Sequence, residues 1–317
     1  MKNKKFLYII LNDIAGSGQA GKSVSILESL KRNEPFELIV KKTTHKHHAS
    51  ELAREFGEAA KTCEGQAICV VIGGDGTMNE VINGLGEDYL DFPVAFIPYG
   101  SGNDFARSEG VPLKPVKAFK HILEIEKANK LDVIRYEDKV TKHVSYAVNS
   151  VGFGLDGAII HQKNMGLENK KSIRAFQFSK LSYLSSLFTA YRSQSEFEVS
   201  IQANKKEWHI KNAILQLNAN RPYFGGGIRI VPTASPDDAL LDVLLVEKLS
   251  FIELITLVGS VLSGQTKHLS HNKVHYIKAS QYQMALFTKQ FGQADGEELP
   301  EKEHNYQFST FKRSFWV

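Results

Sequence analysis

A glycine-rich stretch that carries one acid, GGDGT, is the part of the sequence best suited to chemistry on phosphate. It consists of Gly73, Gly74, Asp75, Gly76 and Thr77 and follows the apolar run AICVVI. Glycine lets the backbone turn sharply and lets amide groups approach an oxyanion. Because an acid beside a phosphate would repel it, Asp75 predicts a divalent cation, or a water bound to one, between the two. The alternative is a strand–turn–helix connection in which Asp75 or Thr77 caps a helix that begins near Asn79.

A second loop repeats this pattern after the apolar run VAFIP. It consists of Gly100, Ser101, Gly102, Asn103 and Asp104. Both loops follow predicted strands of one parallel sheet, and open α/β sheets bind ligands at the carboxyl ends of their strands. Two glycine-rich loops, each with an acid, indicate a phosphate and cation site more strongly than either loop alone.

A third acidic stretch, FGQADGEEL, places Asp295 and Glu297 on either side of Gly296. Alternation across a turn would aim the two acids toward one site. Phosphoryl transfer to a hydroxyl needs a base for the proton and acids that hold Mg²⁺. Taken alone, an Asp-Gly turn is more often the solvated tip of a hairpin.

The octapeptide GSGQAGKS, residues 16–23, matches the phosphate-loop pattern G-x-x-x-x-G-K-[ST]. A nucleotide-binding domain of that type needs a later strand that ends in a metal-binding Asp, and here the later strand ends in GGDGT. We therefore expect Gly16 to lie at the phosphate edge of the sheet, but Lys22 and Ser23 to form the first turn of a helix without phosphate-loop roles.

The pattern of secondary structure that positions these loops changes near residue 130. Predicted strands at 6–11, 36–40, 67–72 and 94–98 alternate with helical patterns at 22–32, 48–61, 79–85 and 116–127. Continuous apolar strands separated by helices predict a parallel sheet covered on both faces. We expect this α/β domain to span residues 1–130.

Residues 131–309 hold many short alternating runs with turn residues between them, which predict an antiparallel β sandwich. Only two helical stretches are expected in it, at 172–193 and 249–264. The apolar face of the first is expected to pack on the sandwich rather than to lie on a membrane. The terminal residues, about 310–317, are candidates for packing back on the first domain.

Charge and composition exclude some classes of protein. The 317 residues carry a net charge of +4, which favours an anionic ligand or membrane surface but is too small to indicate nucleic acid. No apolar stretch approaches the length of a membrane span, so no transmembrane segment is expected. The two cysteines, Cys63 and Cys69, lack metal-ligand spacing and fit a cytoplasmic protein.

Five blocks follow one another in the order and spacing of a known family: GGDGTMNEVINGL, PYGSGNDFAR, GFGLDGAI, GGGIRIVPTASPDDALLDV and QADGE. In this order they resemble the diacylglycerol kinase catalytic-domain family, which includes sphingosine and ceramide kinases. GGDGT alone is shared with NAD kinases and phosphofructokinases, but the combination is specific. The resemblance covers nearly the whole chain. It implies an NAD kinase- or phosphofructokinase-like parallel sheet followed by an all-β sandwich, and an ATP- and Mg²⁺-dependent lipid kinase.

The resemblance also implies site residues. The implied nucleotide contacts are Asn12, Asp13, Ile14, Ala15, Gly16, Thr43, Gly73, Gly74, Asp75, Gly76, Thr77, Met78, Asn79, Glu80, Ser101 and Asn103. Asp75, Asp104 and Asp295 are implied to hold Mg²⁺ through water. Glu297 is implied to accept the proton of the lipid hydroxyl, and it is preferred over Asp295 because a metal-linked carboxylate is less basic. Asp13 stands where the family usually has proline, and it must face away from the phosphates or meet a cation.

Bacterial members carry a further cation in the second domain, at a turn that matches Ser235, Asp238 and Leu240. Here the usual glycine is replaced by Ala239. If the turn requires a positive φ, alanine costs about 1 kcal/mol there, which weakens the expectation of a metal.

The default substrate implied is diacylglycerol, phosphorylated to phosphatidic acid at the inner face of the membrane, with a homodimer as one expectation. Three other interpretations stay open: a kinase for another lipid or a soluble NAD-like acceptor, a regulatory protein that binds nucleotide without turnover, and a P-loop NTPase. The presence of Asp75, Asp104, Asp295 and Glu297 weakens the second of these.

Overall fold

The computed structural model describes residues 5–25, 28, 36–169 and 180–317. At 167–169 and 180–186 the description covers the backbone alone. The chain divides into two compact units. The first comprises Met1–Leu131 and Lys312–Val317, and the second comprises Asp132–Phe311.

The first unit is built on a parallel sheet. Its strands are β1 (Lys5–Leu11), β2 (Phe36–Lys42), β3 (Gln66–Gly73) and β4 (Val94–Pro98), in the order β2-β1-β3-β4. Leu11 pairs with Ile72, and Gly73 pairs with Pro98, so the loops after β1, β3 and β4 leave the sheet at one edge. The apolar runs that predicted these strands are almost wholly buried in β3 and β4, which confirms the predicted α/β class.

Helices connect these strands. They are α1 (His48–Ala60), α2 (Asp75–Leu85), α3 (Asp104–Ser108) and α4 (Pro115–Glu124). The predicted start of α2 near Asn79 was wrong, because the helix begins inside GGDGT. Gly74 is its extended N-cap, and the Met78 N–H donates to the Gly74 carbonyl at 3.1 Å to close the first turn. Asp75 therefore lies where the helix dipole favours a negative charge.

The helix predicted over 22–32 lies largely outside the described residues. Lys22 ends a short 3-10 turn, Ala20–Lys22, and Ser23 follows it. The last residues of the chain are anchored in the first unit. The buried Trp316 donates its indole N–H to the Ile122 carbonyl at 2.8 Å, and the buried Arg313 donates to the Gly86 carbonyl at 2.7 Å.

The second unit is antiparallel. Its strands are β5 (Asn129–Asp138), β6 (Val144–Ala147), β7 (Ser150–Gly154), β8 (Phe197–Ala203), β9 (Lys206–Ala219), β10 (Tyr223–Phe224), β11 (Ile228–Arg229), β12 (Leu241–Glu247), β13 (Val274–Ala279), β14 (Gln281–Leu286), β15 (Gln290–Ala294), β16 (Glu297–Lys302) and β17 (Asn305–Phe315). The main path runs β16-β15-β7-β9-β8-β14-β17, and β12 pairs with both β9 and β13. This confirms the predicted antiparallel sandwich class.

Strand β12 separates two apolar clusters. Val243 and Leu245 belong to one cluster, which also contains Phe308, whereas Leu244 and Val246 belong to the other. Successive side chains of a strand point to opposite faces, so a strand buried on both faces is apolar at nearly every position. The exception in β12 is the buried Asp242, whose carboxylate accepts a hydrogen bond from the Tyr276 hydroxyl. The run LDVLLVE is buried throughout except at its last residue.

The helices of the second unit are α5 (Leu155–Asn169), α6 (Lys180–Ser193) and α7 (Phe251–Leu262). The prediction of only two helical stretches was wrong, because α5 is a third. Helix α5 was not predicted because its sequence contains two glycines and has a weak apolar periodicity. Gly157 allows α5 to lie close to β15, since a Cβ there would be 2.2 Å from the Phe291 carbonyl oxygen. Residues 172–179 of the stretch predicted at 172–193 lie outside the described part of the chain.

The turn that contains Ala239 is strained. Ala239 has φ 59°, in the left-handed region that costs an L residue about 1–2 kcal/mol. Glycine relieves this cost but adds about 0.5–1 kcal/mol of chain entropy. We expect Ala239→Gly to raise the free energy of unfolding by about 0.5–1 kcal/mol, measured by urea denaturation. Ala234→Gly in the same segment, where φ is not positive, is the control and should lower it. An unchanged free energy of unfolding for Ala239→Gly would contradict backbone strain at Ala239.

Candidate functional site

The two glycine-rich loops of the first unit contact each other through their backbones. The Tyr99 N–H donates to the Gly73 carbonyl at 2.7 Å. A Cβ on Gly100 would lie 2.8 Å from the Cα of Gly74, closer than side chains approach. Glycine is therefore required at this contact because the loops touch at a point where no side chain fits.

This contact brings Asp75 and Asp104 into one cluster. The Asp75 carboxylate accepts hydrogen bonds from the Asn103 N–H at 2.7 Å and the Phe105 N–H at 3.4 Å, the two amides that flank Asp104. Asp104 is buried and is the first residue of α3. The structure thus places two of the predicted metal-binding carboxylates on adjoining helix N-termini.

The donor set of this cluster suits a hard cation. Asn103 is held with φ 52° and donates its Nδ2 to the Gly100 carbonyl at 2.7 Å. Its Oδ1 is buried and has no hydrogen-bond partner among the described residues. Carboxylate and amide oxygens are the ligands that Mg²⁺ prefers, and Mg²⁺ usually keeps several waters. Asp75, Asp104 and Asn103 therefore fit a hydrated magnesium ion.

The loop after β1 adjoins the same edge. Asn12 donates its Nδ2 to the Thr77 hydroxyl at 3.1 Å, which connects this loop to GGDGT. Gly16 has φ 59°, and a Cβ there would be 3.0 Å from the Tyr99 carbonyl oxygen. The Thr43 N–H donates to the Leu11 carbonyl at 2.9 Å. The predicted nucleotide contacts from all of these loops therefore lie at one edge of the sheet.

Asp13 meets a cation. One of its carboxylate oxygens lies 3.9 Å from the Lys42 ammonium nitrogen. Asp13, which replaces the family's proline, therefore has the cationic partner that was one of its two expected environments. Ile14, in contrast, is largely exposed.

Three of the predicted nucleotide contacts have structural roles inside the first unit. The Met78 side chain is fully buried on the core face of α2. Asn79 accepts two hydrogen bonds from the Asn83 amide. The Glu80 carboxylate accepts from the His47 N–H at 3.0 Å and the Ala49 N–H at 3.3 Å, and so caps α1, whose own N-cap residue offers no side-chain acceptor. Their contact with a nucleotide stays a prediction.

Lys22 and Ser23, the last residues of the octapeptide, lie where a helix was expected to begin. The buried Ser23 donates its hydroxyl to the Tyr99 hydroxyl at 2.7 Å, so it has a structural partner.

In the second unit, Asp295 and Gly296 form the two-residue turn between β15 and β16. Their φ angles are 51° and 86°, as the tight primed turns of hairpins require. The Asp295 carboxylate is buried and accepts hydrogen bonds from the backbone N–H groups of Val148 and Asn149, both at 2.7 Å, and of Ser150 at 3.1 Å. The turn is therefore clamped onto the loop between β6 and β7.

Glu297 has a different environment from Asp295. It is the first residue of β16, pairs with Ala294 across the hairpin, and is exposed. The exposed carboxylate is accessible to a substrate, whereas the Asp295 carboxylate is held by three amides.

At the turn of Ser235, Asp238 and Leu240, the side-chain oxygens already have partners. One carboxylate oxygen of Asp238 accepts from the Leu240 N–H at 3.0 Å, and the other lies 3.2 Å from the Lys278 ammonium. The Ser235 hydroxyl donates to Asp237 at 2.5 Å. Lys278 already supplies a positive charge beside Asp238, which weakens the expectation of the metal that the resemblance implied, and that metal stays a prediction.

An apolar cavity of about 130 Å³ lies in the second unit. Its walls come from α5, β9, β12 and α7, and include Ile159, Leu217, Leu244, Leu254 and Val258. Asp156 and His268 are the polar residues in this lining. A cavity with so few polar groups suits a hydrocarbon chain.

Asp156 lies in the block GFGLDGAI, but no role was predicted for it. Its Oδ2 accepts from the Gln293 amide at 2.8 Å, while its Oδ1 is buried with no hydrogen-bond partner among the described residues. Burial raises the pKa of this carboxyl to about 7, against the smaller effect of the Gln293 hydrogen bond. A buried carboxyl of this kind is a candidate functional group.

The raised pKa of Asp156 makes stability fall with pH. Between about pH 4 and 7 the folded protein holds a proton that the unfolded chain has lost, so this group destabilises the fold as pH rises to 7 and adds no further change above it. Asp156→Asn removes the titration. We expect its free energy of unfolding, minus that of the unsubstituted protein, to increase across this range by on the order of 4 kcal/mol.

Urea denaturation at a series of pH values measures this difference. Burial lowers the pKa of His304 to about 4, but that group is common to both proteins and cancels in the difference. Parallel stability curves for the two proteins would contradict the raised pKa of Asp156.

No helix in residues 5–25, 36–169 and 180–317 is long and apolar enough to cross a membrane.

Comparison with known proteins places the chain in a family. The model of the diacylglycerol kinase catalytic domain matches residues 6–136, and that of the YegS C-terminal NAD kinase beta sandwich-like domain matches residues 149–309. "Putative lipid kinase YtlR" of Bacillus subtilis (strain 168) is 29% identical over 265 residues, 80% of this chain and 81% of the relative. "Putative lipid kinase SH2167" of Staphylococcus haemolyticus (strain JCSC1435) is 29% identical over 218 residues, 66% of each chain.

Solved structures share the fold. The crystal structure of a "putative diacylglycerol kinase" from Bacillus anthracis str. Sterne has a TM-score of 0.75 at 23% identity, and the match covers 100% of this chain and 98% of that chain. The motifs GGDGT, GSGND and DGE thus occur in a chain whose two parts match the two family models. The protein belongs to the diacylglycerol kinase catalytic-domain family.

Proposed function

We propose that this protein is an ATP-dependent lipid kinase that transfers the γ-phosphate to a lipid hydroxyl, with diacylglycerol as the acceptor and phosphatidic acid as the product. Family membership and relatives named as lipid kinases support the reaction class. The apolar cavity of the second unit is the observation that supports a lipid acceptor. A soluble dinucleotide is polar and would find few hydrogen-bond partners in such a lining.

The first unit binds the nucleotide in this proposal. Backbone amides of the GGDGT loop and the N-terminus of α2 face the phosphates, because glycine leaves them accessible and the helix dipole favours an anion. Asp75, Asp104 and Asn103 would hold hydrated Mg²⁺. When bound, the ion neutralises charge on the phosphates during transfer.

The second unit supplies the proton acceptor. Glu297 accepts the proton of the lipid hydroxyl as that oxygen bonds to the γ-phosphorus, the bond from phosphorus to the β–γ bridging oxygen breaks, and ADP leaves. Asp295 positions this carboxylate, because its three amide hydrogen bonds fix the turn from which β16 starts. The cavity, of about 130 Å³, would hold a segment of an acyl chain of the acceptor.

The proposed acceptor is a membrane lipid and the donor is ATP, so we place the reaction at the cytoplasmic face of the membrane. A homodimer stays a prediction.

The decisive experiment uses the purified protein, labelled ATP, Mg²⁺ and a total bacterial lipid extract. We expect label in phosphatidic acid. Absence of any labelled lipid, with ATP bound normally, would reject the lipid kinase. A parallel lipid-free reaction with added NAD tests the soluble acceptor, and label on NAD there would favour it.

Two variants test the nucleotide site in the same assay. Asp75→Asn should lower turnover by about 10–100-fold because a carboxylate of the hydrated ion is lost. Lys22→Ala should change turnover little, since Lys22 lies outside the proposed phosphate contacts. A P-loop NTPase would show the reverse order of effects.

The proton acceptor has its own test. Glu297→Gln should lower kcat by at least about 100-fold and leave the melting temperature unchanged, because the side chain is exposed. The turnover number and a thermal melt measure both effects. The matched change at the other acidic position of this chain's DGE stretch, Asp295→Asn, should lower the melting temperature as well. Near-normal turnover of folded Glu297→Gln would pass the role to Asp295.

A further inference from the structure

Helix α7 is apolar on the side that faces the protein and on the side that faces solvent. Leu254, Leu257 and Val258 line the cavity. On the other side, Phe251, Ile252 and Ile255 are 50%, 77% and 48% exposed. We call these three residues the α7 outer face. Glu253, Thr256 and Ser260 form a polar strip on α7, and the α7 outer face lies beside it as a group of exposed apolar residues. A contiguous exposed apolar patch of this kind marks an interaction surface.

The single charged residue of α7 is neutralised within the protein. Glu253 accepts a hydrogen bond from the Ser250 N–H at 2.5 Å and forms an ion pair with Lys273 at 2.9 Å. The capping box with Ser250 also satisfies the helix N-terminus. The helix therefore offers neither an unpaired acid nor an open N-terminus that would oppose entry into an apolar phase.

The flanks of α7 are basic. Residues 247–273 contain three lysines and two acids. Glu253 is paired with Lys273, and the Glu247 carboxylate lies 2.7 Å from the His275 ring, so Lys248 and Lys267 are the flanking charges available. Lys248 precedes the helix, and the exposed Lys267 follows it. Lysines beside an anionic bilayer contribute about 1 kcal/mol each to binding, so the charges complement such a surface.

We propose that the α7 outer face lies in the headgroup region of an anionic lipid bilayer. Its 12 residues form a helix about 18 Å long, too short to span about 30 Å of hydrocarbon, so the helix lies along the surface. The hot spots of protein interfaces are dominated by tryptophan, tyrosine and arginine, and of the residue types enriched at interfaces the α7 outer face has only Phe251. The inference rests on the proposed function: α7 is a wall of the cavity, so seating it on a bilayer brings that wall to the lipid acceptor.

Vesicle sedimentation of the full chain tests the surface directly. The unsubstituted protein should bind vesicles of phosphatidylglycerol and phosphatidylethanolamine more strongly than vesicles of phosphatidylcholine. The double substitution Ile252→Asp and Ile255→Asp should weaken binding at least about tenfold, since apolar area is lost and acids are added. The matched control is Val140→Asp in the turn after β5, where valine is 79% exposed, and it should bind as before. Equal binding by all three proteins would overturn the proposal.

A second measurement reports the position of the helix. Tryptophan fluorescence of Ile252→Trp should be quenched by vesicles of brominated lipid, whereas that of Val140→Trp should change no more than the unsubstituted protein. Equal quenching of both variants would overturn the proposal. So would light scattering in which the double variant breaks up an oligomer while its vesicle binding is unchanged, because the α7 outer face would then contact a second copy.

The outcome of the vesicle-binding tests is independent of the outcome of the kinase assay. Vesicle binding requires neither ATP nor turnover, so lipid-dependent binding through α7 without any labelled lipid would reject the kinase and keep the surface. With a water-soluble, short-chain diacylglycerol, the double variant should turn over at the unsubstituted rate. Loss of turnover on both the soluble and the vesicle-borne substrate, with vesicle binding intact, would place Ile252 and Ile255 in the reaction instead and overturn the proposal.

Discussion

The close approach of Gly74 and Gly100 is the constraint on which the rest of the first unit's site depends. Two strands of a parallel sheet end side by side, and the loops that follow them meet only because neither glycine has a side chain. Their contact puts the Asp75 carboxylate within reach of the amides on both sides of Asp104. A Cβ on Gly100 would lie 2.8 Å from the Gly74 Cα and would force the loops apart, whereas a Cβ on Gly74 would lie 3.3 Å from the Gly100 Cα and would need a smaller shift.

The same physical device recurs elsewhere: a carboxylate accepts backbone N–H groups from a loop or helix end that lacks its own partner. Asp295 does so for the loop after β6, and Glu80 does so for α1. These acids fix one segment against another, and charge-assisted bonds are strong enough for that task. Glu297 is exposed in contrast, which is why it is the better candidate for proton transfer.

The sequence could predict the fold class because apolar runs of different length and alternation mark parallel and antiparallel strands. The family could be predicted from GGDGT, GSGND and DGE in order. The start of α2 could not be predicted, because glycine and aspartate are typical of loops. Only the structure shows that Gly74 is the N-cap and that the helix begins at Asp75. Helix α5 was missed because Gly157 weakens the helical signal at the position where close packing on β15 requires it. The partners of Glu80 and Asp238 are distant in sequence and leave no local pattern.

The two faces of β12 explain how the second unit contains a cavity and still folds. Val243 and Leu245 pack into a cluster with Phe153 and Phe308, which supplies apolar burial independent of the cavity. Leu244 and Val246 line the cavity instead. A core that carries Asp156 and unfilled space loses packing energy, so the filled cluster on the opposite face has to provide the stability. Separation of the two tasks between alternate residues of one strand leaves the cavity lining free to be shaped by a ligand.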